Sequence, residues 1–248
     1  DVGGRKGISI APKVLHYDSH LRFYTEKRIS GISVDRVLNY NESMLAYAKV
    51  KGIMRDRYAE SVEKMPFGMY LLHLQSELND VVASLADRLG FEFSERILRM
   101  REMSERCALA CQIEFVLVCD THGDFQPGNI LVANNDVWLI DWEYSARRSF
   151  FFDAIVLECD TRKIYDLAGR LERFYTKIRT EEGVLSWTGE DLSSDNEVYV
   201  ILFLLEELIL LLREASADYV IDPVKVVLPR VLELEIFLKK CKGDKAHD

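Results

Sequence analysis

One segment constrains this 248-residue chain more than any other. It is His122-Gly123-Asp124-Phe125-Gln126-Pro127-Gly128-Asn129, followed by Asp141 in Leu139-Ile140-Asp141-Trp142. Phosphoryl transfer to a hydroxyl needs a carboxylate that orients the attacking group and accepts its proton. It also needs an amide oxygen and a second carboxylate that hold Mg²⁺. Asp124, Asn129 and Asp141 supply these groups in the order and spacing of a kinase-type catalytic loop and the metal-binding aspartate after it. Such a set works only if rigid elements hold its loop, so the flanking sequence should be ordered structure.

The flanks agree. Phe115 to Cys119 is a short apolar run of strand type leading into the loop. Ile130–Ala133 and Val137–Ile140 read as two strands around the turn Asn134-Asn135-Asp136. Nearer the start, Ile8–Tyr17 and Leu21–Ile29 read as strands joined at Asp18-Ser19-His20, the second rich in Phe, Tyr, Thr and Ile. Beyond Gly31 the spacing of apolar residues turns helical. Helices are predicted over 34–57, 68–89, 94–113, 153–175, 191–215 and 224–240. Gly90 suits a helix C-cap, Ser94 an N-cap, and Pro223 a helix start. The glycines at 3, 4 and 7 lack the G-x-G-x-x-G or G-K-[ST] context of a phosphate loop, and a flexible end is predicted there.

Each site residue has a chemical reason. Asp124 is the candidate base. Asn129 and Asp141 offer hard oxygen ligands of the kind Mg²⁺ takes alongside phosphate oxygens and water. His122 either braces the loop through backbone hydrogen bonds or joins the proton transfer. Asp153 either bonds the loop backbone from a helix start or caps that helix. Trp142, Tyr144 and Phe150-Phe151-Phe152 either wall a pocket for a cationic amine or pack in the core, with Trp142 and Tyr144 the ones expected to face a pocket. Arg147 and Arg148 either meet an anion or lie in solvent.

Composition excludes some classes. The net charge of −9 argues against a general nucleic-acid binder. Five cysteines without C-x-x-C spacing read as reduced thiols, and a cytoplasmic location is expected. The most apolar run, Val198 to Leu212, contains Glu206 and Glu207 and is short for a bilayer, so it reads as a core helix and no membrane partner is expected. No apolar leader segment is visible. Nothing in the sequence defines an oligomeric state.

His122-Gly123-Asp124-Phe125-Gln126-Pro127-Gly128-Asn129-Ile130-Leu131 with Ile140-Asp141-Trp142-Glu143 resembles the aminoglycoside phosphotransferase / choline kinase family of protein-kinase-like enzymes. The His-Gly-Asp form is similar to the aminoglycoside branch, and Ile-Asp-Trp-Glu-Tyr to choline and ethanolamine kinases. The resemblance implies an α+β, protein-kinase-like fold. Residues 1–31 would be a remnant of the β N-terminal lobe with the hinge, and 32–248 a mostly helical C-terminal lobe with short catalytic-loop strands. It implies ATP and Mg²⁺ as cofactors and a small-molecule hydroxyl acceptor of aminoglycoside, choline, ethanolamine or sugar type. It places the adenine at the hinge backbone within Thr25–Ile29, at Glu26, Lys27 and Arg28. It makes Glu143, with Trp142 and Tyr144, candidates for the acceptor, and Glu206 and Glu207 either further candidates or a solvated helix edge.

The chain also departs from that pattern. No glycine-rich hairpin is found, and none of Arg5, Lys6 and Lys13 sits in a V-A-I-K-like strand ahead of a helix. The expectation is therefore a chain lacking most of the small lobe, shortened from an active parent. The alternative is a non-catalytic binding module that keeps the kinase-like large lobe.

Overall fold

The computed structural model describes residues 11–18, 23–133, 136–180, 196–217 and 219–244. The predicted glycine-containing end, most of both predicted hairpin turns and the start predicted at Asp191 lie outside the described residues. By their internal contacts the residues form two compact units, 1–61 with 120–146, and 62–119 with 147–248. The lobe boundary expected after residue 31 runs inside the first of these.

In the first unit, β1 (Val14–Asp18) and β2 (Phe23–Glu26) form an antiparallel pair with an irregularity between Val14 and His16. The Lys27 N–H donates to the Lys13 carbonyl at 2.8 Å, which extends the pairing by one rung. A separate sheet has the order β3 (Ile32–Ser33), β6 (Ile130–Ala133), β7 (Asp136–Leu139), all antiparallel. The helix predicted from Val34 starts later, because Val34–Arg36 forms a 3₁₀ turn. The Asn39 side chain then accepts from the N–H groups of Asn41 (3.0 Å) and Glu42 (3.3 Å), an N-cap for α1 (Tyr40–Ser61). Ala46, Val50, Met54 and Tyr58 make its buried stripe at four-residue spacing. Lys49 reaches Asp136 on β7 at 2.6 Å.

Gly31 explains how closely this sheet is built. A Cβ there would lie 2.9 Å from the Val132 carbonyl oxygen and 3.2 Å from the Leu131 Cβ. Both neighbours are on β6, where little can move. Gly31→Ala is expected to cost about 1–3 kcal/mol by overpacking, read as a lower denaturant midpoint in urea. An unchanged midpoint would mean that β3 does not hold this register.

The second unit contains the sheet β4 (Glu63–Pro66), β5 (Phe115–Thr121), β8 (Ala146–Ser149), in which β5 is central. The last residues of β5 carry the chain into the first unit. The helices are α2 (Phe67–Ser84), α3 (Ala86–Leu89), α4 (Phe91–Leu109), α5 (Phe152–Glu158), α6 (Leu167–Thr180), α7 (Glu197–Ala215) and α8 (Pro223–Asp244). Every residue of α7 from Val198 to Leu212 is buried, so this helix is the core of the unit. Among the described residues no helix is long and apolar enough to cross a membrane.

Three expectations need correction. The helix predicted over 68–89 is divided at Leu85 into α2 and α3, and Gly90 caps α3 as predicted, with a φ of 74° that only glycine adopts without strain. It ends α3 and begins α4 at once, so α4 starts at Phe91, not after an Ser94 cap. The helix predicted over 153–175 is two helices. Asp160 (φ 45°) and Asp166 (φ 52°) turn the backbone left-handed between them. Arg170 then satisfies the loop, donating to the carbonyls of Cys159 (2.6 Å) and Asp160 (3.3 Å) and also to those of Lys163 and Tyr165. Burial pushes the Cys159 thiol beside it up to about 12, which leaves it an inert thiol at neutral pH. Strands β3, β4 and β8 were not predicted. Each is short, and Glu-Lys-Met-Pro and Ala-Arg-Arg-Ser carry no β-branched residue to signal them.

Candidate active site

The loop after β5 is built from its own polar contacts, all within the first unit. The Thr121 hydroxyl donates to the Ala146 carbonyl at 2.8 Å, and the Ser145 hydroxyl donates to the Thr121 carbonyl at 2.9 Å. Gly123 turns the chain with φ of 86°. Pro127–Asn129 then makes a 3₁₀ turn, and the Ile140 N–H donates to the Asn129 carbonyl at 3.0 Å.

These turns bring the base candidate and the first metal candidate together. Asp124 and Asn129 are buried, 8% and 7% exposed, so neither is a solvated turn residue. The Asn129 Nδ2 donates to Asp124 Oδ2 at 2.7 Å and to the Asp124 carbonyl at 2.9 Å. Gln126 Nε2 also donates to Oδ2, at 2.8 Å. With its nitrogen committed to Asp124, the Asn129 amide has one orientation and turns Oδ1 away from that carboxylate.

Asp141 is exposed and precedes the 3₁₀ turn Trp142–Tyr144. Its backbone is left-handed, φ 68° and ψ 54°, and its side chain makes no capping bond to that turn. A non-glycine residue in this region is strained, and such strain gathers at functional sites. Glu26, at the end of β2, stands in the same electrostatic environment. Its carboxyl is held above the usual range by burial first and by the negative charge of Asp141 second. Lys27 and Arg28 are exposed, and the Lys27 N–H already bonds Lys13.

His122 is fully buried. Its Nε2 lies 2.8 Å from the Ile140 carbonyl, and its Nδ1 lies 3.2 Å from the Asp124 nitrogen. The Nε2–H tautomer satisfies both contacts, donating to Ile140 and accepting from the Asp124 N–H. This is the bracing arrangement. Trp142 Nε1 donates to the Leu139 carbonyl at 2.8 Å, and its ring centroid is 4.6 Å from that of His122. Glu143 is exposed and Tyr144 half-buried.

Other candidates are held elsewhere, inside the second unit. Phe150, Phe151 and Phe152 are core residues, Phe151 against Tyr199 and Phe152 against Phe203. Asp153 is fully buried in the first turn of α5. Arg147 pairs with Glu63 at 2.5 Å, and Arg148 lies over the Phe152 ring at 4.7 Å. Glu206 and Glu207 are not a solvated edge. Glu206 accepts from the Ser149 N–H and hydroxyl, each at 2.6 Å, and from the Tyr70 hydroxyl. Burial raises its carboxyl above the usual range against the pull of those donors. Glu207 Oε1 accepts from Arg162 at 2.6 Å and Arg230 at 2.8 Å. These partners commit both carboxylates to structure. Sequence reasoning missed Arg57, whose guanidinium carbon sits 4.7 Å over the Trp142 ring. An arginine on a helix gives no signal of that kind.

No family model and no curated protein matches this sequence. Solved structures do match. The choline/ethanolamine kinase family protein from Mesorhizobium loti is 18% identical, covering 93% of this chain and 74% of its own, with a TM-score of 0.56. Choline kinase LicA from Streptococcus pneumoniae is 17% identical, covering 91% of this chain and 75% of its own, with a TM-score of 0.57. A glucosamine kinase is 16% identical and covers 87% of this chain, with a TM-score of 0.50; this chain spans only 58% of it. The chain therefore has the α+β, protein-kinase-like fold seen in choline/ethanolamine kinases and glucosamine kinase.

Proposed function

We propose that this chain carries the acceptor-side and metal-side half of a phosphotransferase. The reaction is ATP- and Mg²⁺-dependent transfer to a hydroxyl of a small molecule, in the cytoplasm. The observation that carries this reading is the 2.7 Å bond from Asn129 to Asp124, which locks the candidate base and a candidate metal ligand into one buried unit.

The donor set suits Mg²⁺. An amide oxygen at Asn129 and a carboxylate at Asp141 are hard oxygen ligands, and Mg²⁺ takes few such ligands from protein. Among the described residues no group of three or more His, Cys, Asp and Glu side chains gathers as an all-protein site. Bound there, the ion supplies charge neutralisation for the transferring phosphoryl group. Asp124 orients the acceptor hydroxyl and takes its proton. Gln126 and Asn129 hold the Asp124 carboxylate in one position, so little reorganisation is needed. His122 fixes the backbone on either side of the pair.

The names of the similar structures support a nucleotide and a nitrogen-bearing acceptor. One is glucosamine kinase with glucosamine, ADP and inorganic phosphate, and another is LicA with AMP. The hinge segment at Glu26, Lys27 and Arg28 is the proposed adenine contact. Glu143, exposed beside Asp141, is the proposed partner for a cationic acceptor, with Tyr144 next to it. The His-Gly-Asp form keeps aminoglycosides among the acceptors to test. The second reading is a non-catalytic binding module that keeps this large-lobe half.

The test is ATP turnover by the full-length protein across choline, ethanolamine, glucosamine, simple sugars and aminoglycosides, with Mg²⁺ titrated. Asp141→Ala is expected to raise the Mg²⁺ concentration for half-maximal rate by roughly 10- to 100-fold. An unaltered Mg²⁺ requirement would remove Asp141 from the metal site. ATP binding without turnover on any acceptor would favour the binding module.

A further inference from the structure

Arg57 lies on the last turns of α1, and α1 is fastened to the loop region at two points. Lys49 pairs with Asp136 on β7, and the Ser61 hydroxyl accepts from the Asp120 N–H at 3.1 Å. Between these anchors the Arg57 guanidinium covers the Trp142 ring at 4.7 Å. Arg57 Nε is buried with no hydrogen-bond partner among the described residues. The head group is thus placed for the ring face, whose negative quadrupole attracts a cation.

Trp142 passes that position on. Its Nε1–H holds the Leu139 carbonyl, and its ring packs on His122 at 4.6 Å with a 59° tilt. His122 in turn bonds the backbone beside both carboxylates, at the Ile140 carbonyl and the Asp124 N–H. A ring shifted at Trp142 therefore moves a side chain that couples the Asp141 strand end to the Asp124 turn.

We propose that Arg57 is a positioning residue for the catalytic loop, acting through Trp142 and His122, and that the Trp142 ring serves the loop instead of a cationic acceptor. This rests on the phosphotransferase reading for its kinetic consequence but not for its structural one. A cation already occupies the ring face toward α1, and His122 packs against the same ring. Amine recognition then falls to other groups, with Glu143 the exposed carboxylate that follows Trp142 and is not assigned to the metal.

Arg57→Met keeps length and removes the charge. It is expected to lower kcat by roughly 10- to 100-fold, the size of effect a misplacement of about 1 Å produces. The KM values for acceptor and nucleotide should stay within about threefold, because groups that bind both are untouched. Arg57→Lys restores a cation over the ring and should recover most of kcat. Trp142→Phe should lower kcat as well, and Arg57→Met with Trp142→Phe should lose no more than the worse single variant, since both break one relay.

A second readout needs no turnover. In full-length protein labelled with ¹⁵N-histidine, the His122 ring nitrogens, assigned by their loss in His122→Asn, should show the Nε2–H tautomer. In Arg57→Met the two signals should move toward each other. Unchanged kcat and unmoved His122 signals would overturn the inference, as would a loss appearing in acceptor KM alone or losses that multiply. If the wild type transfers phosphate to no acceptor, the functional reading fails, and the His122 signals still decide the role of Arg57. If Arg57→Met does not fold, Arg57→Lys and Trp142→Phe carry the same readouts.

Discussion

Asp124→Ala is expected to lower turnover of the full-length protein by roughly two to four orders of magnitude, the usual size of general-base removal. That is about 3–5 kcal/mol of lost transition-state stabilisation. The alanine variant has two effects at once. It removes the proton acceptor, and it takes the Oδ2 partner from Asn129 and Gln126. Asn129 would keep only its bond to the residue-124 carbonyl, so the metal-side oxygen loses its fixed orientation too. Asp124→Asn separates the two. Its amide oxygen can still accept from Asn129, yet it cannot take a proton at neutral pH. Near-equal losses in both variants, with unfolding midpoints close to wild type, identify proton acceptance as the function. An asparagine variant within about tenfold of wild type, well short of the loss expected for a base, would sink the assignment.

The pair was legible because its geometry is local. Five residues separate Asp124 from Asn129, and Pro-Gly between them favours the tight turn that closes the cluster. The hairpin Ile130–Ala133 with Asp136–Leu139 was legible for the same reason, since alternating apolar residues flank a turn signal. The fold class followed from the family resemblance that the loop motif carries, and the strands near the loop and helical spacing elsewhere agree with it. What stayed hidden depends on partners distant in sequence. Glu206 looks like a helix edge until Tyr70 and Ser149 are seen around it. Arg57 looks like a surface arginine until Trp142 lies beneath it. Pairing also decides strands whose own residues are indifferent. Ala146–Ser149 is extended because it lies beside β5, not because arginine and serine prefer it.

The largest stability effect is expected at Glu207, away from the proposed chemistry. Its carboxylate sits at 0% exposure on α7 and meets two guanidinium groups through one oxygen. The other oxygen, Oε2, is buried with no hydrogen-bond partner among the described residues. Glu207→Ala leaves Arg162 and Arg230 without this acceptor while their side chains remain only 17% and 10% exposed. Removing one partner of a buried pair costs about 3–5 kcal/mol. The residual exposure of both arginines lets water reach them, which places the expectation near the lower end, about 3 kcal/mol. Urea unfolding followed by far-UV circular dichroism measures it as a lower midpoint. Replacing all three charges together by apolar side chains of similar volume, Glu207→Leu with Arg162→Met and Arg230→Met, should return most of the loss. The reason is that desolvating three charges offsets much of their mutual attraction, and the unsatisfied Oε2 makes this triad weaker than a fully bonded one. If Glu207→Ala shifts stability by less than about 1 kcal/mol, the value of an exposed pair, the carboxylate is not held in the core of α7 as described.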